Sequence, residues 1–142
     1  MRDFGYARGG AFRYSRAMSL FKKLKAWQHA QRLAIECAKT ARAFPDYEQG
    51  ALADQLRRAA YAVPLNIAEG NSRLGSRENR RFLDAARSSL GEVETAIEIA
   101  RELEYVSPTD YARLEALADE TGKTLWGLLR KVSGAAVRSP LR

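Results

Sequence analysis

The chain predicts an all-α fold, an antiparallel up-and-down four-helix bundle with a proline-kinked second helix. Three observations carry that expectation. Apolar residues recur at alternating spacings of three and four along four long segments, and no segment shows the two-residue alternation of a half-buried strand. Stopping and capping residues punctuate the chain between those segments, and the short joins they leave favour antiparallel neighbours. At 142 residues, with 46% hydrophobic and 29% charged residues, the chain suits one domain with a core of its own.

Residues 1–18 mix Gly, Arg, Tyr and Phe without helical periodicity and read as a flexible basic arm. Met18 stands just before the first periodic segment, so a start of translation there is an open alternative. The bundle is expected over residues 19–132 and a loose tail over 133–142. The first helix should run from Leu20 to Ala43, with Leu24, Trp27, Ala34, Cys37, Ala38 and Ala41 on one stripe. Phe44-Pro45-Asp46 stops it, because the residue before proline is pushed out of helical geometry. Asp46 is then placed to cap the second helix, with Gln49 completing a capping box.

The stripe of the second helix is Leu52, Leu56, Ala59, Val63 and Ile67, and Gly70 is the expected left-handed stop. Ser76 is the candidate N-cap of a third helix reaching about Glu104, with Leu83, Ala86, Leu90, Val93, Ile97, Ala100 and Leu103 facing inward. Ser107-Pro108-Thr109-Asp110 opens the fourth: a serine cap, a proline at the first helical position and a carboxylate in the first turn. Its stripe is Tyr111, Leu114, Ala118, Thr121, Leu125, Leu128 and Val132.

Pro64 lies inside the second helix, where a proline removes a backbone donor and costs about 3 kcal/mol. Asn66 and Glu69, one turn apart, share a face. Glu69 stands where the helix dipole disfavours an anion, so a cationic partner is expected, Arg73 or an arginine of a neighbouring helix. Pro64, Asn66, Glu69 and Gly70 are therefore candidates for a structural or interface role. Either they lock the packing around a kink, or they touch a ligand or another subunit.

The formal charge of +7 is unevenly spread. One basic group is Lys22, Lys23 and Lys25; a second is Arg57, Arg58, Arg73, Arg77, Arg80 and Arg81. Residues 92–120 reverse the sign, with Glu92, Glu94, Glu98, Glu102 and Glu104 among their carboxylates. Such a dipolar layout fits a polyanion on one side, and an ordinary charged surface gives it too.

No catalytic constellation is visible. His29 is the sole histidine and Cys37 the sole cysteine, so neither a metal pair nor a disulfide can form within the chain, and no metal or cofactor is expected. Ser88 and Ser89 lack a nucleophile elbow, and no phosphate-cradling glycine pattern occurs. No apolar run could span a bilayer, and the N-terminus has no apolar signal region. A non-catalytic, cytoplasmic protein without a membrane partner is the simplest expectation.

Several blocks in fixed order then resemble a known family. They are Phe21-Lys22-Lys23-Leu24-Lys25-Ala26-Trp27-Gln28, Phe44-Pro45 with Glu48, Gln55-Leu56-Arg57-Arg58-Ala59-Ala60, Val63-Pro64, Asn66-Ile67-Ala68-Glu69-Gly70 with Arg73, and Phe82-Leu83 with Ala86 to Leu90 and Glu92. Over roughly residues 20–132 the chain resembles the bacterial four-helix bundle proteins called 23S rRNA intervening-sequence proteins, to which the accessory variability determinants of diversity-generating retroelements are related. The block after the proline is the specific one. The chain departs from the family pattern at Ala62 and Leu65, usually small polar residues, and at Ser88-Ser89, commonly Gly-Ser.

The resemblance implies a homo-oligomer, a ring-like pentamer, and an association with nucleic acid, since related accessory proteins work with a reverse transcriptase and its RNA. Two functions follow. In one, Lys22, Lys23, Lys25, Arg57, Arg58, Arg73, Arg77, Arg80 and Arg81 bind nucleic acid, RNA ahead of DNA, mainly at phosphates. In the other, the chain is a protein-interaction scaffold that docks a partner such as a reverse transcriptase, its arginines meeting the acidic surface of a neighbouring subunit.

Overall fold

The computed structural model describes residues 20–73 and 75–137. The arm expected at 1–18 lies outside the described residues, as does residue 74 and the chain from 138 on. Among the described residues four α-helices make up the fold: α1 (Lys25–Arg42), α2 (Leu52–Asn71), α3 (Ser76–Glu102) and α4 (Pro108–Val137). Among the described residues there is no strand. Helix α2 packs along α3 and α1, and α4 packs along α3 and α1, so the four enclose one core.

That core takes most of the predicted stripes, but on α1 Ala26, Ala30 and Leu33, outside the expected stripe, are buried with Ala34, Cys37 and Ala41, while Trp27 and Ala38 are only half-buried. Leu33, Leu56, Val63, Ile67, Leu83, Val93, Leu114 and Leu125 are fully buried, with Cys37 and Thr121 among them. Alanines fill much of the remainder, notably Ala30, Ala41, Ala53, Ala60, Ala86 and Ala100, so the helices can approach closely. Buried Thr121 is satisfied inside its own helix, its Oγ1 donating to the Leu117 carbonyl at 2.7 Å. Leu103, expected on the α3 stripe, is half exposed because α3 ends at Glu102 and Leu103 is its cap.

The ends of the helices account for most departures from expectation. The first helix does not start at Leu20. Phe21–Lys23 form one 3-10 turn, Leu24 is extended, and α1 begins at Lys25. Phe21 folds back edge-on to Trp27, with ring centroids 4.9 Å apart, and the Gln28 amide donates to the Lys22 carbonyl at 2.8 Å. These two contacts hold the break.

No capping box forms at the second helix. Asp46–Glu48 make a separate 3-10 turn, and Glu48 Oε1 accepts the amide of Leu52 at 3.2 Å. Gln49 turns the other way, its amide donating to the carbonyls of Ala41 and Phe44 at 3.0 Å each, so it closes the C-terminus of α1.

At the close of α3, Glu104 takes a left-handed φ of 62°. The amides of Glu104 and Tyr105 donate to Arg101 and Ala100 at 2.9 and 2.8 Å, the two bonds of a Schellman closure. A non-glycine there costs about 1–2 kcal/mol. Tyr105 offsets it by packing on Phe44 at 5.4 Å and donating to Glu48 Oε2 at 2.7 Å. The start of α4 follows expectation, since Ser107 Oγ accepts the amide of Asp110 at 3.1 Å. Its end does not: α4 runs to Val137, beyond the boundary set at 132, because Ser133 and Gly134 pack half-buried as a continuation of the helix and two alanines extend it.

Gly70 is the clearest correction. It is not left-handed; α2 continues through it to Asn71. A Cβ at position 70 would stand 2.8 Å from Asn79 Oδ1, 3.0 Å from the Asn79 carbonyl and 3.1 Å from Phe82 Cβ. The glycine is there because α3 lies against it. Gly70→Ala should therefore lower stability by about 1–2 kcal/mol, the overpacking term outweighing alanine's better helix propensity. Gly91→Ala, at an exposed site on α3 with nothing within 4 Å, should raise it by about 0.5–1 kcal/mol. Urea midpoints of the two variants measure the contrast, and a stabilised Gly70→Ala would contradict it.

Candidate functional site

The close approach at Gly70 brings the end of α2 against the start of α3. Phe82 lies in that corner with two guanidiniums over its ring, Arg73 at 4.8 Å and Arg81 at 4.9 Å. Arg73 also pairs with Glu69, one turn back on α2, which is the cationic partner expected for that carboxylate. Both side chains of the pair are nearly half exposed, so Glu69 is not a buried carboxylate. Arg81 pairs with Glu78 at 3.0 Å and Arg80 with Asp84 at 3.6 Å. Arg77 is exposed and has no ion pair among the described residues.

Two further segments join this end. Arg80 donates to Ser133 Oγ of α4, which fixes the last turns of α4 beside the first turns of α3. Lys25, with Leu24 and Ala26, shares a groove with Thr124, Leu128 and Lys131 of α4. Lys22 and Lys23 are exposed on the turn just before. One end thus gathers Lys22, Lys23, Lys25, Arg73, Arg77, Arg80, Arg81, Arg87, Arg130 and Lys131 around Glu69, Glu78 and Asp84. Exposed ion pairs of this kind are worth roughly 0–1 kcal/mol each, so their carboxylates do not lock the arginines against an incoming anion.

Arg57 and Arg58 are not part of that gathering. Position 57 is about 20 Å along the helix from Asn71 at the usual rise. Arg57 is three-quarters buried, donating to Gln49 Oε1 at 3.1 Å and to the Gln49 carbonyl at 2.8 Å. It braces the α1–α2 turn. Arg58 is exposed and pairs with Asp54 at 3.0 Å. Pro64 and Asn66 sit midway on α2, half-buried, with the Asn66 amide donating to the Ala62 carbonyl of its own helix at 2.8 Å.

Arg87, Arg130, Lys131 and Trp126 were missing from the sequence-derived set. Arg87, Arg130 and Trp126 line a groove of about 320 Å³ between α3 and α4, together with Arg80 and Asp84. A signal for them exists in the sequence. Trp126 stands one residue off the α4 stripe at Leu125, and Arg130 follows one turn later; Arg80, Asp84 and Arg87 are likewise spaced along one face of α3.

The opposite stretch of the α3–α4 seam is acidic. Glu94, Glu98 and Glu115 line a small pocket with Tyr111, whose hydroxyl donates to Glu98 and, at 3.0 Å, to Glu115. Burial, and then the charge of Asp119, push the Glu94 carboxyl above the usual carboxylate range. Cys37 is buried, and desolvation pushes its thiol up to about 12, so it is no nucleophile. Among the described residues no group of acidic, histidine or cysteine side chains could hold a metal, and no helix is long and apolar enough to cross a membrane.

The chain matches the family described as 23S rRNA-intervening sequence protein over residues 22–127. It belongs to that family. The match begins at Lys22, within the basic turn before α1, and ends at Gly127, so it includes the whole α2–α3 corner. No curated protein matches the chain. The family assignment and the all-helical fold agree with the resemblance read from the block around Pro64.

Tyr111 gives the acidic seam a measurable signature. Its hydrogen bond to Glu98, then burial, then the bond to Glu115 push the hydroxyl up to about 12. The folded-state value lies above the unfolded value of about 10, so the bonds stabilise fully below about pH 10 and are lost as pH rises through about 12. Tyr111→Phe lacks this step. Denaturation across pH 9 to 12, in about unit steps, should show the wild type losing stability relative to the variant; parallel curves would contradict the assignment.

Proposed function

We propose that this member of the family is a non-catalytic, homo-oligomeric bundle, in the form of a pentamer, that binds nucleic acid at its basic end. RNA is preferred to DNA, and the contacts are mainly to phosphates. The observation that carries this is the gathering of Lys22, Lys23, Lys25, Arg73, Arg77, Arg80 and Arg81 at one end, with Arg87, Arg130 and Lys131 beside them. The charge carries the proposal, not the family's description. Repeated around a ring, a patch of this size becomes multivalent, so weak phosphate contacts add. The reading takes the helices as antiparallel, with the second bent at Pro64, and the protein as cytoplasmic. The start of α1, the end of α2, the start of α3 and the end of α4 meeting at one end support the antiparallel order.

Arg57 and Arg58 leave the proposed contact set on the geometry above. The sequence carries no recognition-helix or RNA-reading motif, which supports backbone-dominated, weakly specific binding.

The scaffold reading retains one observation in its favour. The acidic seam of Glu94, Glu98 and Glu115 is opposite in sign to the basic end, which suits a heterologous contact between subunits in a ring and docking of a partner such as a reverse transcriptase.

Salt-titrated binding to a random RNA and a random DNA, starting near 50 mM salt, separates the two. The proposal expects binding that weakens steeply with salt. Replacing Arg73, Arg77, Arg80 and Arg81 by Gln should flatten the logarithmic salt slope by about 0.7 per lost single-strand contact while the oligomer stays intact. Absence of binding at low salt overturns the proposal. Collapse of the quadruple variant to monomer assigns those arginines to the subunit interface instead.

A further inference from the structure

Trp126 is 55% exposed, although α4 offers a buried stripe one residue away. Tryptophan is highly buried on average, so an indole left more than half exposed on this helix calls for a reason. Its surroundings supply one. The groove beside it is bordered by Arg80 and Arg87 of α3 and Arg130 of α4, with Ser133 at its edge and Asp84 as the only carboxylate among its described residues. Asp84 lies 3.6 Å from Arg80 and 3.9 Å from Arg87, too far for a hydrogen bond to either. Arg80 gives one donor to Ser133 Oγ, and Arg80 and Arg87 keep others to offer an anion; with Arg130 the guanidiniums outnumber the carboxylate of the groove, so its described lining is net positive.

We propose that this α3–α4 groove is a subsite for one nucleotide of a single strand. The base stacks on the face of Trp126, and the flanking phosphates are held by Arg80, Arg87 and Arg130. The inference rests on the nucleic-acid reading above and adds to it a preference for unpaired strands. A phosphate patch alone does not tell a single strand from a duplex. A lone aromatic face does, because bases in a duplex are stacked on one another and present only their edges and backbone. Stacking on an aromatic ring accepts any base, so the subsite brings no sequence preference. The dimensions agree: about 320 Å³ is at the small end of ligand sites and is open to the basic surface on which the remainder of the strand would lie.

An acidic segment of a protein could also seek these arginines, but it would have no use for a flat indole face. That alternative is an outcome of the test.

The chain has two tryptophans, so Trp27→Phe leaves Trp126 as the only indole emitter. Binding of an unstructured RNA of about a dozen nucleotides and of a duplex with the same number of phosphates should be measured on wild type, Trp27→Phe, Trp126→Ala and Trp126→Phe. The single strand is expected to quench Trp126 emission. Trp126→Ala should weaken single-strand binding roughly tenfold and leave duplex binding unchanged, while Trp126→Phe keeps most of the affinity. If Trp126→Ala weakens both equally or neither, or if binding proceeds without quenching, the subsite is refuted while phosphate binding at the basic end survives. If Trp126→Ala changes the oligomer's mass without changing RNA affinity, Trp126 is a subunit contact and the subsite is likewise refuted. If wild type binds neither strand form near 50 mM salt, the broader nucleic-acid reading falls with it.

Discussion

The backbones of α2 and α3 meet at Gly70, and the character of one end of the molecule depends on that contact. With the Asn79 carbonyl 3.0 Å from where a Cβ would stand, no larger residue lets the two helices join at this angle. The approach puts Phe82 in the corner with Arg73 and Arg81 over its ring, and Arg77 is exposed in the first turn of α3. Helix α4 then completes the same end through Arg80 and Ser133. A charged surface is thereby fixed by a contact that contains no charge.

The other end is held differently. Gln49 closes α1, Arg57 holds Gln49, and Glu48 accepts from both Leu52 and Tyr105, so four segments are tied by hydrogen bonds. A buried guanidinium bond of this kind is worth about 1.5–3 kcal/mol, against roughly 0–1 for the exposed pairs at the basic end. The contrast separates arginines that build the fold from arginines that remain available. Arg57 belongs to the first kind; Arg73, Arg77, Arg80 and Arg81 belong to the second.

The stripes of α2, α3 and α4 were legible in the sequence because burial follows helical periodicity, and Leu56, Val63, Leu83, Val93, Leu114 and Leu125 face inward as their spacing requires. Ser107 was legible as a cap because its partner, Asp110, lies three residues on. The misread residues have partners that spacing does not reveal. Gln49 looks like half of a capping box until Ala41 and Arg57 come to it from either side. Gly70 looks like a helix stop until α3 is laid against it. Arg57 and Arg58 look like a matched pair of surface cations, and only the fold of the α1–α2 turn tells one from the other. Trp126 is the reverse case: it lies outside the periodic stripe, so burial periodicity carries no signal for it.

On the proposed function, the available arginines, not all the arginines, form the working surface. Hydrogen-exchange footprinting of the oligomer with and without a random RNA tests it most directly. RNA is expected to protect the α2–α3 corner and the last turns of α4, with no change at the α1–α2 turn around Gln49 and Arg57. Protection centred on that turn, or on the acidic seam of Glu94 and Glu98, would contradict it.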